Sequence, residues 1–243
     1  MSYVPYENIT GLRTWRQSDL KLRRRIAAAI TDTVDATLSS INPAWRMEEC
    51  EAPLMMPCDR MSAAYTADDV FLLADAPGGH KPWALRAETT DGTYLAAVEI
   101  LRSTNVKAPL CVWQMGPSFR RERSDGATAE GRLRLKQFNQ IEYQCVYRED
   151  TAFDIAVPLR EALVPLVSRL TGLETRLIES DRLPSYATET VDIECLLPTG
   201  DWREVASTSR RTDFPEIHGH KPLKVFEIAF GADRLVALAN GKL

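Results

Sequence analysis

No stretch of the chain approaches the ~18 consecutive apolar residues of a membrane-spanning helix, so no helix is expected to cross a bilayer. The opening residues, MSYVPYENITGLRTWRQ, are polar and lack the apolar core of a secretory signal. Cysteine is scarce: Cys50, Cys58, Cys111, Cys145 and Cys195 are five, widely spread and never at C-x-x-C spacing. Only His218 and His220 lie close together, so neither a zinc site nor a disulfide framework is expected; free thiols in a reducing cytoplasm are. A dominant charge sign is missing too. Against 34 Asp+Glu stand 30 Lys+Arg, a net charge of −4, which excludes a general basic coat for nucleic acid and leaves room for a local basic groove. Neither G-x-x-x-x-G-K-[ST] nor G-x-G-x-x-G occurs, so the common phosphate-cradling loops have no support.

What is present is globular. With 243 residues, 44% apolar and 26% charged, the chain can bury a real core as one domain. Leu22, Ile26, Ile30, Val34 and Leu38 recur every four residues and predict a helix over 18–41, with Ser18 as its N-cap. Arg23, Arg24 and Arg25 interrupt that stripe and read as a solvated helix face. A second helix is expected over about 158–170, kinked or split by Pro165 and ended by Gly172. A third begins near Asp233 and ends at Asn240–Gly241.

Between the helices, two-residue alternation marks strands at about 110–122, 132–147, 190–197, 202–209 and 223–230. Such alternation argues for an antiparallel sheet with one buried and one open face, hence an α+β fold with helices flanking the sheet. The parity test assigns side chains to faces. Trp113, Met115 and Phe119 oppose Gln114, Ser118, Arg120 and Glu122; Leu133, Leu135, Ile141, Tyr143 and Cys145 oppose Arg134, Phe138 and Glu142. Further on, Asp192 and Glu194 oppose Ile193 and Cys195, Glu204 opposes Val205, and Glu227 with Ala229 opposes Phe226, Ile228 and Phe230. If these strands are neighbours, one face gathers arginines, carboxylates and the single ring of Phe138. The hairpin loop RSDGATAEG, rich in Gly, Ser, Thr and Asp, is suited to cover such a site.

Those parts fit a definite chemistry. Arginines fork onto phosphates, carboxylates hold Mg²⁺ together with substrate phosphates, and a ring with an arginine sandwiches a purine. Acids away from the phosphates can hold an ammonium group. ATP, Mg²⁺ and an amino acid match this set, and the matching reaction is attack of a carboxylate on the α-phosphorus.

At this point the residues resemble the class II aminoacyl-tRNA synthetases, from about residue 18 to 241. RMEECEAP (46–53) resembles motif 1, Phe119–Arg120–Arg121–Glu122 followed by Arg134-x-x-x-Phe138 resembles motif 2, and Gly231–Ala232–Asp233–Arg234–Leu235 resembles motif 3. Within the class the chain looks most like glycyl-tRNA synthetase. LRAETTDGTY (85–94), YATETVDIE (186–194) and WREVASTSRRTD (202–213) resemble that family's R-P-E-T-A-Q-G, Y-A-x-x-T-x-D-I-E and E-x-x-G-I-A-x-R-T-D segments. Glu227–Ile228–Ala229 stands where that family reads E-P-S, and Ser207–Thr208–Ser209 is more polar than G-I-A. Serine and alanine therefore stay beside glycine as the substrate.

The resemblance implies roles. Arg120 would bind the α-phosphate and the amino-acid carboxylate, Glu122 the adenine amino group, and Phe138 would stack on adenine. Arg234 would stack on the other side or reach the γ-phosphate, and Arg134 would join the ATP site. Glu204 would hold Mg²⁺. Glu88, Glu142 and Glu227 would grip the ammonium, with Arg86, Arg211 and Ala229 close by. The implied architecture is a single catalytic domain over 1–243, with motif 1 at about 18–55, motif 2 at about 110–147 and motif 3 at about 223–241, without an anticodon-binding domain. The implied assembly is a cytoplasmic homodimer. Three functions follow: an ATP-dependent ligase that activates an amino acid, glycine favoured, and charges the tRNA acceptor end; a related ligase that passes the amino acid to a carrier protein or other acceptor; and a non-catalytic paralogue.

Overall fold

A computed structural model of the chain describes residues 11–62, 65–74, 82–103, 105–122 and 133–241. Seven strands form one twisted sheet in the order β1-β4-β5-β9-β8-β7-β6: β1 (Arg46–Glu49), β4 (Leu110–Phe119), β5 (Gln137–Arg148), β9 (Leu223–Gly231), β8 (Trp202–Arg211), β7 (Ala187–Leu196) and β6 (Thr175–Glu179). Every pairing is antiparallel except at one edge, where β1 runs parallel to β4, so the sheet is mixed. A small hairpin of β2 (Met55–Pro57) and β3 (Trp83–Leu85) stands apart. The α+β expectation holds.

Three helices cover one face. In α1 (Gln17–Ile41) the four-residue stripe buries Ile26, Ile30, Val34 and Leu38 against Cys111, Ile141, Tyr143 and Cys145 of the sheet. Its N-cap is Arg16, not Ser18, and Asp19 accepts the Arg16 backbone N–H at 3.4 Å. Arg24 and Arg25 are exposed as expected; Arg23 instead pairs with the buried carboxylate of Asp233 at 2.7 Å, tying α1 to the last helix, α4 (Ala232–Ala239). The third, α3 (Ala156–Thr171), runs through Pro165 unbroken. Pro165 and Glu161, four residues earlier, both lie on the exposed side, so the carbonyl freed by the missing N–H can turn to water. Gly172 ends that helix in the left-handed region, at φ 71°.

The other face was expected to stay open, and half of it does not. An unforeseen helix, α2 (Thr90–Ser103), lies across it. Ala97 and Leu101 pack on Leu110, Val112, Val146 and Val225, the same-face residues at one end of β4, β5 and β9. The exposed part of the face begins where α2 begins, at Thr90. Among the described residues no helix is long and apolar enough to cross a membrane. The loop RSDGATAEG and Arg132 of the expected 132–147 strand lie outside the described residues.

Candidate active site

Strand pairing assembles the site. Glu142 faces Ala229, Ala229 faces Ser207 and Ser207 faces Asp192, while Ser118 faces Phe138 further along, so five adjacent strands bring residues to one face. Simple alternation along β8 from Ser207 would send Glu204 into the core. A bulge prevents this: Ile193 pairs with Ala206 and Glu194 with Glu204, leaving Val205 as the extra residue. Val205 is buried in the core and Glu204 is returned to the pocket. One cavity results, lined by Arg120, Glu122, Arg134, Phe138, Glu204 and Arg234 towards one end and by Glu88, Glu227 and Ala229 towards the other.

The cationic end is built around Arg120. Its guanidinium carbon lies 5.2 Å from the ring centre of Tyr65 and 5.2 Å from that of Phe138. Its Nε donates to the Ala87 carbonyl at 3.0 Å, and the Glu88 carboxylate stands 3.5 Å away. Tyr65 is a residue that sequence reasoning missed: its hydroxyl donates to Glu88 at 2.5 Å, so one tyrosine holds both the arginine and its acid. Glu122 pairs with Arg134 at 3.5 Å. Arg234, at the start of α4, donates to the Glu204 backbone carbonyl.

The acidic end is deeper. Glu142 is fully buried, and it receives the Thr90 hydroxyl at 3.2 Å and the Gln144 side-chain amide at 2.8 Å. The same amide nitrogen reaches Glu227 at 3.1 Å. Arg211 closes on Glu227 at 2.5 Å and on Asp213 at 2.9 Å, its guanidinium held between the rings of Tyr94 and Tyr186 at 4.4 and 4.0 Å. Burial drives the Glu142 carboxyl well above the usual carboxylate range, and Glu227 and Glu88 add to it. Burial likewise raises Glu88, against the pull of Arg120, and pushes Asp91 up to about 7.

Three expected amino-acid ligands sit elsewhere than on the cavity surface: Glu142 lies fully buried behind it, and two arginines are also off it. Arg211 lies beneath it, behind Glu227. Arg86 is corrected from a substrate contact to a wall residue: it is buried and donates to the carbonyls of Pro117 and Ala52 at 2.8 Å each and to Gln114 at 3.1 Å. That crossing requires Gly116, because a Cβ there would lie 2.3 Å from an Arg86 nitrogen.

The donor set for Mg²⁺ fits a cation that keeps substrate oxygens as ligands. Asp192 and Glu204 both line the cavity, and Asp192 Oδ1 is buried with no hydrogen-bond partner among the described residues. No group of three or more His, Cys, Asp or Glu able to enclose a metal occurs among those residues.

This fold is that of a class II synthetase core domain. Residues 75–224 match the family described as tRNA synthetase class II core domain (G, H, P, S and T), and the chain belongs to that family. The chain is 31% identical over 134 residues to a glycine–tRNA ligase of Mycoplasmopsis synoviae, covering 54% of this chain and 29% of that protein. A serine–tRNA ligase of Trichormus variabilis is 31% identical over 184 residues, 68% of this chain and 39% of that protein. In fold it is similar to Giardia lamblia prolyl-tRNA synthetase in complex with prolyl-adenylate, with a TM-score of 0.68 at 15% identity over 96% of this chain and 48% of that one. The chain thus spans well under half the length of the curated relatives it matches.

Proposed function

We propose that the chain activates a small amino acid, glycine first among candidates, at the expense of ATP and transfers it to the acceptor end of tRNA. One observation carries this reading: a single cavity has arginines and the ring of Phe138 at one end and the carboxylates of Glu88 and Glu227 at the other. The amino-acid carboxylate attacks the α-phosphorus, a new oxygen–phosphorus bond forms, the bond to the β-phosphate breaks, and pyrophosphate leaves. Arg120, at the cationic end and 3.5 Å from Glu88 of the acidic end, would contact both the α-phosphate and the carboxylate. Phe138 and Arg234 would flank adenine, with Glu122 and Arg134 at its edge. Asp192 and Glu204 would hold Mg²⁺, which when bound neutralises phosphate charge.

The preference for glycine is supported by how the hydroxyls near Ala229 are used. Thr190 and Ser209 bond each other at 3.0 Å, so these two hydroxyls already have partners to occupy them. A pocket selects a hydroxylated substrate strongly when its own polar groups would otherwise stay unpaired. The homodimer expected from motif 1 belongs to the same proposal.

Amino-acid-dependent exchange of pyrophosphate into ATP, run with all twenty amino acids, tests the reading. Exchange with glycine followed by transfer to tRNA supports it in full. Exchange without transfer to tRNA moves the acceptor to a carrier protein or another molecule. Silence with every amino acid favours a non-catalytic role.

A further inference from the structure

The acidic end of the cavity holds more carboxylates than cations. Glu142 on β5 is faced by Glu227 from β9, by Glu88 and Asp91 from the start of α2 and the turn before it, and by Arg211 from β8. Arg120 lies beyond Glu88 at the end of β4, and the hydroxyls of Tyr65 and Tyr186 are neutral neighbours. Arg86, across Gln114 on β4, is turned towards main-chain carbonyls. Arg211 is shared between Glu227 and Asp213, and Arg120 serves Glu88. Among the described residues no cation touches Glu142: its bonds come from Thr90 and from Gln144, both neutral. The Gln144 amide bridges Glu142 to Glu227, while its own oxygen is buried without a partner among the described residues. An unpaired buried charge is costly, so such a cluster stays neutral until a cation arrives.

Resting on the amino-acid reading above, we propose that this cluster holds a proton on Glu142 in the free protein and releases it to solvent when the substrate ammonium settles against Glu88, Glu227 and Thr90. Binding then exchanges a proton for a cation, and the buried charge changes little. The direction of the Glu142 shift, upward through burial and neighbouring acids, agrees with this. The exchange gives the site a selectivity that fit alone does not supply, since a neutral ligand of the same size cannot displace the proton.

Titration calorimetry of the whole chain near neutral pH, in two buffers of different protonation enthalpy, counts the protons. The probes are glycyl-sulfamoyl-adenosine, a stable mimic of the adenylate, and sulfamoyl-adenosine, which lacks the amino acid. The glycyl probe should release about one proton more than its partner. Glu142→Gln should abolish the difference while still binding sulfamoyl-adenosine. Equal release by the two probes overturns the inference, as does full release by Glu142→Gln, which would trace the proton to the ligand's own amine. If that variant does not fold, the wild-type chain still decides. Affinity for the glycyl probe should rise up to tenfold per pH unit below about pH 8, where α-amino groups begin to titrate, and affinity for sulfamoyl-adenosine should stay flat; parallel pH dependences overturn the inference. Failure of glycyl, alanyl and seryl probes alike to outbind sulfamoyl-adenosine removes the amino-acid site itself, and the inference with it.

Discussion

Replacing Arg120 by alanine separates catalysis from folding. The side chain makes two ring contacts, each worth about 0.5–1 kcal/mol, and one hydrogen bond to a main-chain carbonyl worth about 1 kcal/mol. Its ion pair with Glu88 spans 3.5 Å at a partly exposed site and adds little. The expected loss is therefore about 2–3 kcal/mol. For a chain of this size that lowers Tm by about 4–12 °C, leaving a cooperative fold at assay temperature. The catalytic effect should be larger. A single positioned donor at developing charge is worth about 10²–10³ in rate. Pyrophosphate exchange should fall by at least that factor, read beside a thermal melt of the same sample. A loss of less than tenfold would show that Arg120 does not face the reacting phosphate, and a vanished melting transition would show that it belongs to the core.

Tyr65→Phe keeps the ring beside Arg120 and removes the hydroxyl that fixes Glu88; KM for the amino acid should rise about tenfold with KM for ATP unchanged, in steady-state exchange assays. Glu204→Gln should raise the Mg²⁺ concentration needed for half-maximal exchange about tenfold with little change in Tm, because the side chain lines the cavity and the main-chain carbonyl that receives Arg234 is kept. Asp91 has a folded-state pKa near 7 against about 3.9 unfolded, so its ionised form costs stability above that range and nothing below it. Asp91→Asn should accordingly raise Tm by a few degrees at pH 8 and leave it unchanged at pH 4; equal shifts at both would contradict the burial argument.

Much of this was legible in the sequence because the signals were periodic. The stripe in α1 and the alternation in β4, β5 and β9 are single-period patterns imposed by one core, and they gave the helix, the strands and the faces of Phe138, Glu142 and Glu227. What escaped was non-local. Residues 85–94 carry a motif and 95–103 were assigned no element, although Ala97, Val98 and Leu101 have helical spacing, and so the closure of half the face went unseen. Tyr65 comes from an irregular segment with no period, and its role exists only through partners distant in sequence. Arg86 was placed near substrate because its segment matched a motif; its direction depends on carbonyls of Ala52 and Pro117, which no local pattern reveals. Glu204 was assigned to the correct face, yet by alternation alone it would have been lost, since the bulge at Val205 is what turns it.

The crossing of Arg86 over Gly116 has a consequence for how this chain can vary over generations. Neither residue is free to change by itself: a Cβ at 116 displaces the guanidinium that bonds the carbonyls of Ala52 and Pro117, and a shorter residue at 86 leaves those carbonyls dry and a void above the glycine. The two positions form a lock with a single key, invisible to substrate, and related chains that drift at one should be found altered at the other.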